Sequence, residues 1–493
     1  MQKICKFVRH INLILCRYCT MKRKLVAFIL LCCAVSLGAK VNLPTLIGDH
    51  MILQQKAEVK LWGTASPKAE VRVTPSWNGQ TTSCRADKDG NWLLTVTTPE
   101  AGYTPYEITF NDGEPMVVKN VLIGEVWLAS GQSNMEMPLK GFGGGCVMDG
   151  VDDIIASADN KGVRMFTVPK NQTYEPLTNC GGSWNVASIE TTPNFGATAY
   201  HFATSMSRAL QVPVGIINSS YGGATVEGWI NREILEGYPD ISLNPDSIER
   251  LNPMHRPMLM YNAMLKPLQN YTIKGMIWYQ GESNVGRHDT YAQRLADMVE
   301  LWRKEWGLGE LPFYFVEIAP YAYGGEQEEK APYFREAQFK AQSLIPNSGM
   351  VSTNDLVEPY EKYNIHPRNK TKVGRRLSYL ALNLTYGMKQ IGCFGPCYKA
   401  LEIEKNQAFV SFDHLEMGIC RNYDLRGFEV AGEDRVFHPA DNVWLRWQTN
   451  HVVISSAKVP HPVAVRYCFR DFQIGTMIGG NELPTIPFRT DDW

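Results

Sequence analysis

The chain has 493 residues, 49 Lys plus Arg against 50 Asp plus Glu, a formal net charge of -1 and 44% apolar residues. This is the composition of a folded globular protein. It lacks the charge excess and apolar poverty of a disordered chain, and the absence of a basic surplus argues against nucleic acid as a partner.

The near-zero charge is an average over two unlike parts. Met21-Lys-Arg-Lys24 is followed by an apolar run, Leu25 to Leu37, and then by the small residues of Ser36-Leu-Gly-Ala39. This is the basic, apolar and cleavage-site plan of a secretory signal. The run falls short of the roughly 20 residues of a membrane span. Met21 reads as the true start, with residues 1–20 an over-extended beginning. A mature chain from residue 40 is expected to be secreted or periplasmic, with a lipid anchor on Cys32 or Cys33 as the alternative. Residues 1–39 hold seven basic residues and no acid, so the remainder carries a formal charge of -8. No later stretch reads as a transmembrane helix. Seven cysteines remain, an odd number that leaves at least one unpaired. No His or Cys spacing suits zinc, and neither metal nor cofactor is expected.

Three regions follow. Residues 40–120 read as a β-sandwich-like domain: Glu58 to Trp62, Glu70 to Thr74 and Trp92 to Thr98 alternate polar and apolar residues around turns. Residues 121–390 change character. Val121 to Ala129, Val214 to Asn218, Gly275 to Tyr279, Pro312 to Ile318 and Gly349 to Thr353 are apolar runs of the kind buried on both faces of a sheet. Helical periodicity occupies Ala197 to Leu210, Tyr291 to Trp306, Pro332 to Leu344 and Lys372 to Leu384. The alternation predicts an α/β fold, a three-layer parallel sheet with its site at the strand carboxyl ends. Residues 391–493 return to strand-like segments, Gln407 to Phe412, Val443 to Trp447, Val452 to Ser455 and Pro462 to Tyr467, and suit a β region packed on the core.

Polar motifs cluster after the apolar runs. Ser130-Gly-Gln-Ser133-Asn-Met135 places a serine at a strand-to-helix turn, where glycine permits the sharp bend. The usual G-x-S-x-G elbow is not met, and a polar turn with a capping serine reads equally well for this piece alone. Asn218 to Thr225 contains Gly222-Gly223, whose exposed N–H groups suit an oxyanion. Trp278-Tyr-Gln280-Gly-Glu282-Ser-Asn284 brings side-chain amides to a strand end. Asn364-Ile-His366-Pro-Arg368-Asn-Lys370 brings a histidine to a polar loop, placed to serve as a general base.

Gly131 to Met135, Trp278 to Asn284 and Ile365 to Lys370 together resemble the sialate O-acetylesterase family of SGNH hydrolases. Leu43 to Leu53, Leu61 to Ala65, Tyr261-Asn262-Ala-Met264, Phe334 to Gln338 and Pro487 to Trp493 extend the resemblance along the mature chain. It implies an SGNH-hydrolase, flavodoxin-like sheet with flanking β regions. It also implies a Ser133 nucleophile, a His366 base and an oxyanion hole from the Ser133 N–H, Gly222 or Gly223, and Gln280 or Asn284. Asn262 and Glu282 are expected to face substrate. An anionic sugar would need a cation, with Arg335, Arg368 and Arg256 as candidates. One departure matters: many SGNH hydrolases carry Asp three residues before the histidine, and here that position is Tyr363. Asp355, Glu358, Glu361 or a backbone carbonyl then orients His366; Asp355, directly after the last apolar run, is favoured. The triad needs a group on the far imidazole nitrogen rather than a fixed spacing.

The implied activity is acyl transfer from an O-acetylated sugar or glycan through an acetyl-enzyme, with 9-O-acetyl sialic acids the first expectation and acetylxylan or another plant glycan the alternative. An inactive carbohydrate-binding protein on the same scaffold is the reading from another class; the presence of both Ser133 and His366 argues against it. Oligomeric state is not legible.

Overall fold

The apolar runs become the strands of one sheet. In a computed structural model that describes residues 40–421 and 424–493, the central strands are β1 (Pro115–Gly131), β2 (Val163–Thr167), β3 (Trp184–Val186), β4 (Val214–Ser220), β5 (Gly275–Tyr279), β6 (Phe313–Val316) and β7 (Ser348–Val351). The secretory signal and alternative start read from residues 1–39 lie outside the described residues. Strand order is β7-β6-β5-β1-β4-β2-β3, and neighbours are parallel except β2 and β3. The short β2 and β3 extend the sheet beyond the five strands expected.

Helices cover both faces. They are α1 (Ser133–Glu136), α2 (Ala197–Leu210), α3 (His288–Trp306), α4 (Lys330–Leu344) and α5 (Lys370–Leu380). Helices α2 and α5 pack together on one face, and α3 and α4 pair on the other. Four of the five begin within two residues of a position expected from periodicity or motif; α3 starts three residues early. Two apolar clusters flank the sheet: Trp278, Trp302 and Phe334 belong to one, and Trp127, Phe202 and Leu377 to the other.

The chain crosses from β1 to one side of the sheet, returns through β4, and then continues through β5 on the other side. Strand β1 is therefore the switch point, and the loops after β1, β4 and β5 open side by side. The register is exact at this edge: Gly131 pairs with Ser220 on one side and Tyr279 on the other.

The first half of β1 belongs to the N-terminal β layer, where it pairs with strand Gly102–Asn111 and strand Ile52–Gln54. The expected boundary at residue 120 thus falls inside a 17-residue strand. Two four-stranded antiparallel sheets, within 397–455 and 428–489, form the C-terminal region around its own apolar cluster. The seven cysteines of the described residues are unpaired. No helix among the described residues is long and apolar enough to cross a membrane.

Candidate active site

The nucleophile turn is built by exclusion. Gly131 has φ of 137°, and a Cβ there would lie 2.1 Å from the Tyr279 carbonyl oxygen. Only glycine fits both constraints. Gln132 is locked next: its Oε1 accepts the N–H groups of Gly281 (3.2 Å) and Ser283 (3.4 Å). Ser133 follows, half-buried, as the first residue of α1. At that position a helix leaves the backbone N–H without an internal partner.

The β4 loop closes against this turn. The Gly222 N–H donates to Glu136 Oε2 at 2.6 Å. A Cβ on Gly222 would sit 2.9 Å from that oxygen and 3.5 Å from the Ser133 Cβ, so loop, carboxylate and nucleophile share one small space. Gly223 has φ of 77° and a methionine sulfur, Met254 Sδ, where its side chain would be. Glu136 Oε1 pairs with the half-exposed Lys170 at 2.8 Å.

The histidine loop is fastened to the same turn. Asn134 Nδ2 donates to the Ile365 carbonyl at 3.0 Å, which joins the residue after Ser133 to the residue before His366. Asn134 Oδ1 accepts Lys370 Nζ at 2.6 Å, and Asn134 Nδ2 also donates to Glu282 Oε1 at 2.5 Å. Asn134, Lys370 and Glu282 are all buried. The His366 ring stands edge-on to Phe142. Burial and the Lys370 charge hold its pKa below the ordinary range, while Glu136 pulls the other way. Among the described residues no hydrogen bond yet joins the Ser133 hydroxyl to the His366 ring; such contacts commonly tighten only around substrate.

Other expected site residues are placed differently. Both Asp355 oxygens are held by Arg376, at 2.7 and 2.6 Å, so its carboxylate braces α5 rather than His366. Glu358 is exposed and caps the turn at Pro359–Glu361. Glu361 is buried and supports the loop from within, accepting the Glu358 N–H, the Arg368 N–H and Asn364 Nδ2. Gln280 and Asn284 are buried, and their amide hydrogens already serve the fold. Gln280 donates to the Ala224 carbonyl and to Asn284 Oδ1, and Asn284 donates to Glu227. Neither presents a free amide to an oxyanion. Asn262 holds the Thr173 and Tyr174 carbonyls. Arg335 is 1% exposed and holds the Arg470 carbonyl. Glu282 belongs to the buried bridge just described, and Arg256 pairs with Glu249 at 2.6 Å. Of the three candidate arginines, Arg368, two residues after His366 in the chain, remains half-exposed and is bonded to the Tyr360 hydroxyl.

Three residues of the site had no assigned role in the sequence: Glu136, Asn134 and Lys370. The signal for Glu136 is present, since Ser133 and Glu136 are three apart on one helical turn and face the same way. Asn134 and Lys370 lie inside quoted motifs, but their partnership spans 236 residues and only the fold reveals it.

Residues 123–383 match the family model of the carbohydrate esterases described as sialic acid-specific acetylesterase. The sialate O-acetylesterase of Mus musculus is 27% identical over 458 residues, covering 80% of this chain and 83% of that protein. The Homo sapiens sialate O-acetylesterase is 27% identical over 431 residues, covering 80% and 81%. A crystal structure of a carbohydrate acetylesterase from Xanthomonas citri is 33% identical, with a TM-score of 0.82 over 92% of this chain and all of that one. The α/β architecture and the flanking β regions are shared with that structure over nearly the whole length. The chain belongs to the sialic acid-specific acetylesterase family of carbohydrate esterases and is an O-acetylesterase, a carboxylic ester hydrolase.

Proposed function

We propose that the enzyme is exported and hydrolyses O-acetyl esters of sialic acids, 9-O-acetyl esters among them, through a Ser133–His366 acyl-enzyme mechanism. The observation that carries the reading is the 3.0 Å bond from Asn134 to the Ile365 carbonyl, which fastens the serine turn to the histidine loop. The curated relatives support the substrate class by name.

In this mechanism His366 takes the Ser133 proton as Oγ attacks the acetyl carbonyl. The Ser133 and Gly222 N–H groups receive the developing oxyanion. At rest the Gly222 N–H already holds a carboxylate oxygen of Glu136, so an anionic oxygen fits there. Substrate takes over this donor and leaves Glu136 to stabilise the imidazolium, the role sequence reasoning gave to Asp355. The imidazolium then protonates the departing sugar oxygen, water attacks the acetyl-serine, and acetate leaves.

A neutral plant glycan is the second reading, and one observation favours it. Arg335 is buried, Arg256 is paired with Glu249 and Lys170 with Glu136, so of these cations a sialate carboxylate would find Arg368 alone, itself bonded to the Tyr360 hydroxyl. Acetate release from a panel of O-acetylated sialic acids and acetylated xylan oligosaccharides separates the two. Ser133→Ala and His366→Ala should each lose p-nitrophenyl acetate hydrolysis by about 10³-fold or more. Wild-type rates in Ser133→Ala would overturn the mechanism.

A further inference from the structure

A buried lysine stands where a helix least favours one. Lys370 is the first residue of α5 and is 1% exposed. The positive end of the helix dipole disfavours a cation there, and removal from water adds to the cost. Methionine or leucine would fill the space without either penalty. Locally unfavourable choices of this kind tend to mark function.

The geometry shows what the ammonium achieves. It is a donor only. By meeting Asn134 at 2.6 Å it holds the amide oxygen toward itself, and together with Glu282, which accepts from the nitrogen, it keeps that nitrogen on the Ile365 carbonyl. The Ile365–His366 peptide is planar, so its two polar groups move together. Its carbonyl is held by Asn134, and its N–H donates to Asn364 Oδ1 at 3.1 Å. Asn364 is in turn tied to Glu361. The peptide that carries the base is thus clamped on both sides. A neutral side chain at 370 would leave the buried Asn134 oxygen without its donor, and the amide would be held from the nitrogen side alone, by Glu282 and the Ile365 carbonyl.

We propose that Lys370 is a positioning residue that, through Asn134 and by its own charge, governs how His366 is presented as the base. This rests on the Ser133–His366 reading. The charged groups facing His366 are Lys370 and Glu136, and those facing Lys370 are Glu282 and Glu361, with the Tyr279 ring 5.6 Å from its nitrogen. Burial lowers the Lys370 pKa to about 7, while Glu282 and Glu361 help retain its proton. Glu282 Oε2 has no partner among the described residues, and the burial of this carboxyl raises its own pKa.

The test uses the full-length enzyme with p-nitrophenyl acetate across pH. Lys370→Met should lower kcat about 10- to 10²-fold, leave KM within about twofold, and move the acid limb of kcat/KM to higher pH. The sign follows from charge: without the ammonium, imidazolium forms more readily. Glu282→Gln preserves shape and hydrogen bonding but removes an anion that holds the Lys370 proton, and it should move the limb the same way. It keeps the question open to measurement if Lys370→Met does not fold. Unchanged kcat in Lys370→Met, or an unmoved limb in whichever variant folds, overturns the proposal. Dead Ser133→Ala and His366→Ala controls in the same assay keep such a failure separate from failure of the mechanism.

Discussion

Gly374→Ala sets two physical effects against each other at the helix that follows the histidine loop. Gly374 lies within α5, where alanine ordinarily gains about 1 kcal/mol of helix propensity. A Cβ there would meet the Thr198 carbonyl oxygen at 2.4 Å, His201 Cβ at 2.6 Å and the Phe202 nitrogen at 2.8 Å, all on α2. Two of these atoms are backbone and cannot rotate aside. Ordinary contact begins at 3.4 Å, so the helices must separate by about 1 Å. Overpacking of this kind costs about 1–3 kcal/mol, here at the upper end. The net is a loss of about 2 kcal/mol, readable as a lower urea midpoint at unchanged slope. His366 lies eight residues upstream on the same segment, and a displacement near 1 Å can lower kcat by about 10²-fold. A Gly374→Ala protein as stable as wild type, or more so, would show that propensity wins and that the close crossing does not position the site.

Four further outcomes follow from the same geometry. The pKa of His366 is held down by burial and Lys370, so its neutral, competent form persists to lower pH, and the acid limb of kcat/KM should lie on the acid side of about 6.5; a limb above that value contradicts the assignment. Arg376→Met removes the partner of a nearly buried carboxylate and should cost about 3 kcal/mol in denaturant titrations. Asp355→Asn should keep kcat within about tenfold, because Asp355 serves α5; a loss near 10⁴-fold would restore it as the triad acid. Glu136→Gln should lower kcat about 10²-fold or more with little change in KM, whereas a rise in kcat would mean that the carboxylate only obstructs Gly222.

The doubly buried strands were legible because a parallel sheet with helices on both faces demands unbroken apolar runs, and β1, β4 and β5 supply them. The short β2 and β3 were not, since Val163–Thr167 and Trp184–Val186 make no long run and pair across a loop. Ser133 and His366 were legible from motifs at strand ends. The polar residues around them were harder to sort, because catalysis and bracing draw on the same side chains. Asp355 follows the last strand as a triad acid would, yet its direction depends on Arg376, one helix away. Gln280 and Asn262 look like ligands in sequence and are internal struts in the fold. Glu136 carries a local signal, three residues after Ser133, but its partner Gly222 lies 86 residues on.

Strand β1 carries a mechanical consequence. Its 17 residues span about 55 Å if fully extended, entering as a member of the outer β layer and ending two residues before the nucleophile. The strand bends at Asn120, whose φ is 54°, but no loop intervenes, so the outer layer is continuous with the strand on which Ser133 is mounted. Any polymer touching that layer would meet the nucleophile at a set distance, as on a ruler. A cut at residue 120 would not release a free-standing catalytic unit: it would sever the central strand of the sheet that holds the chemistry.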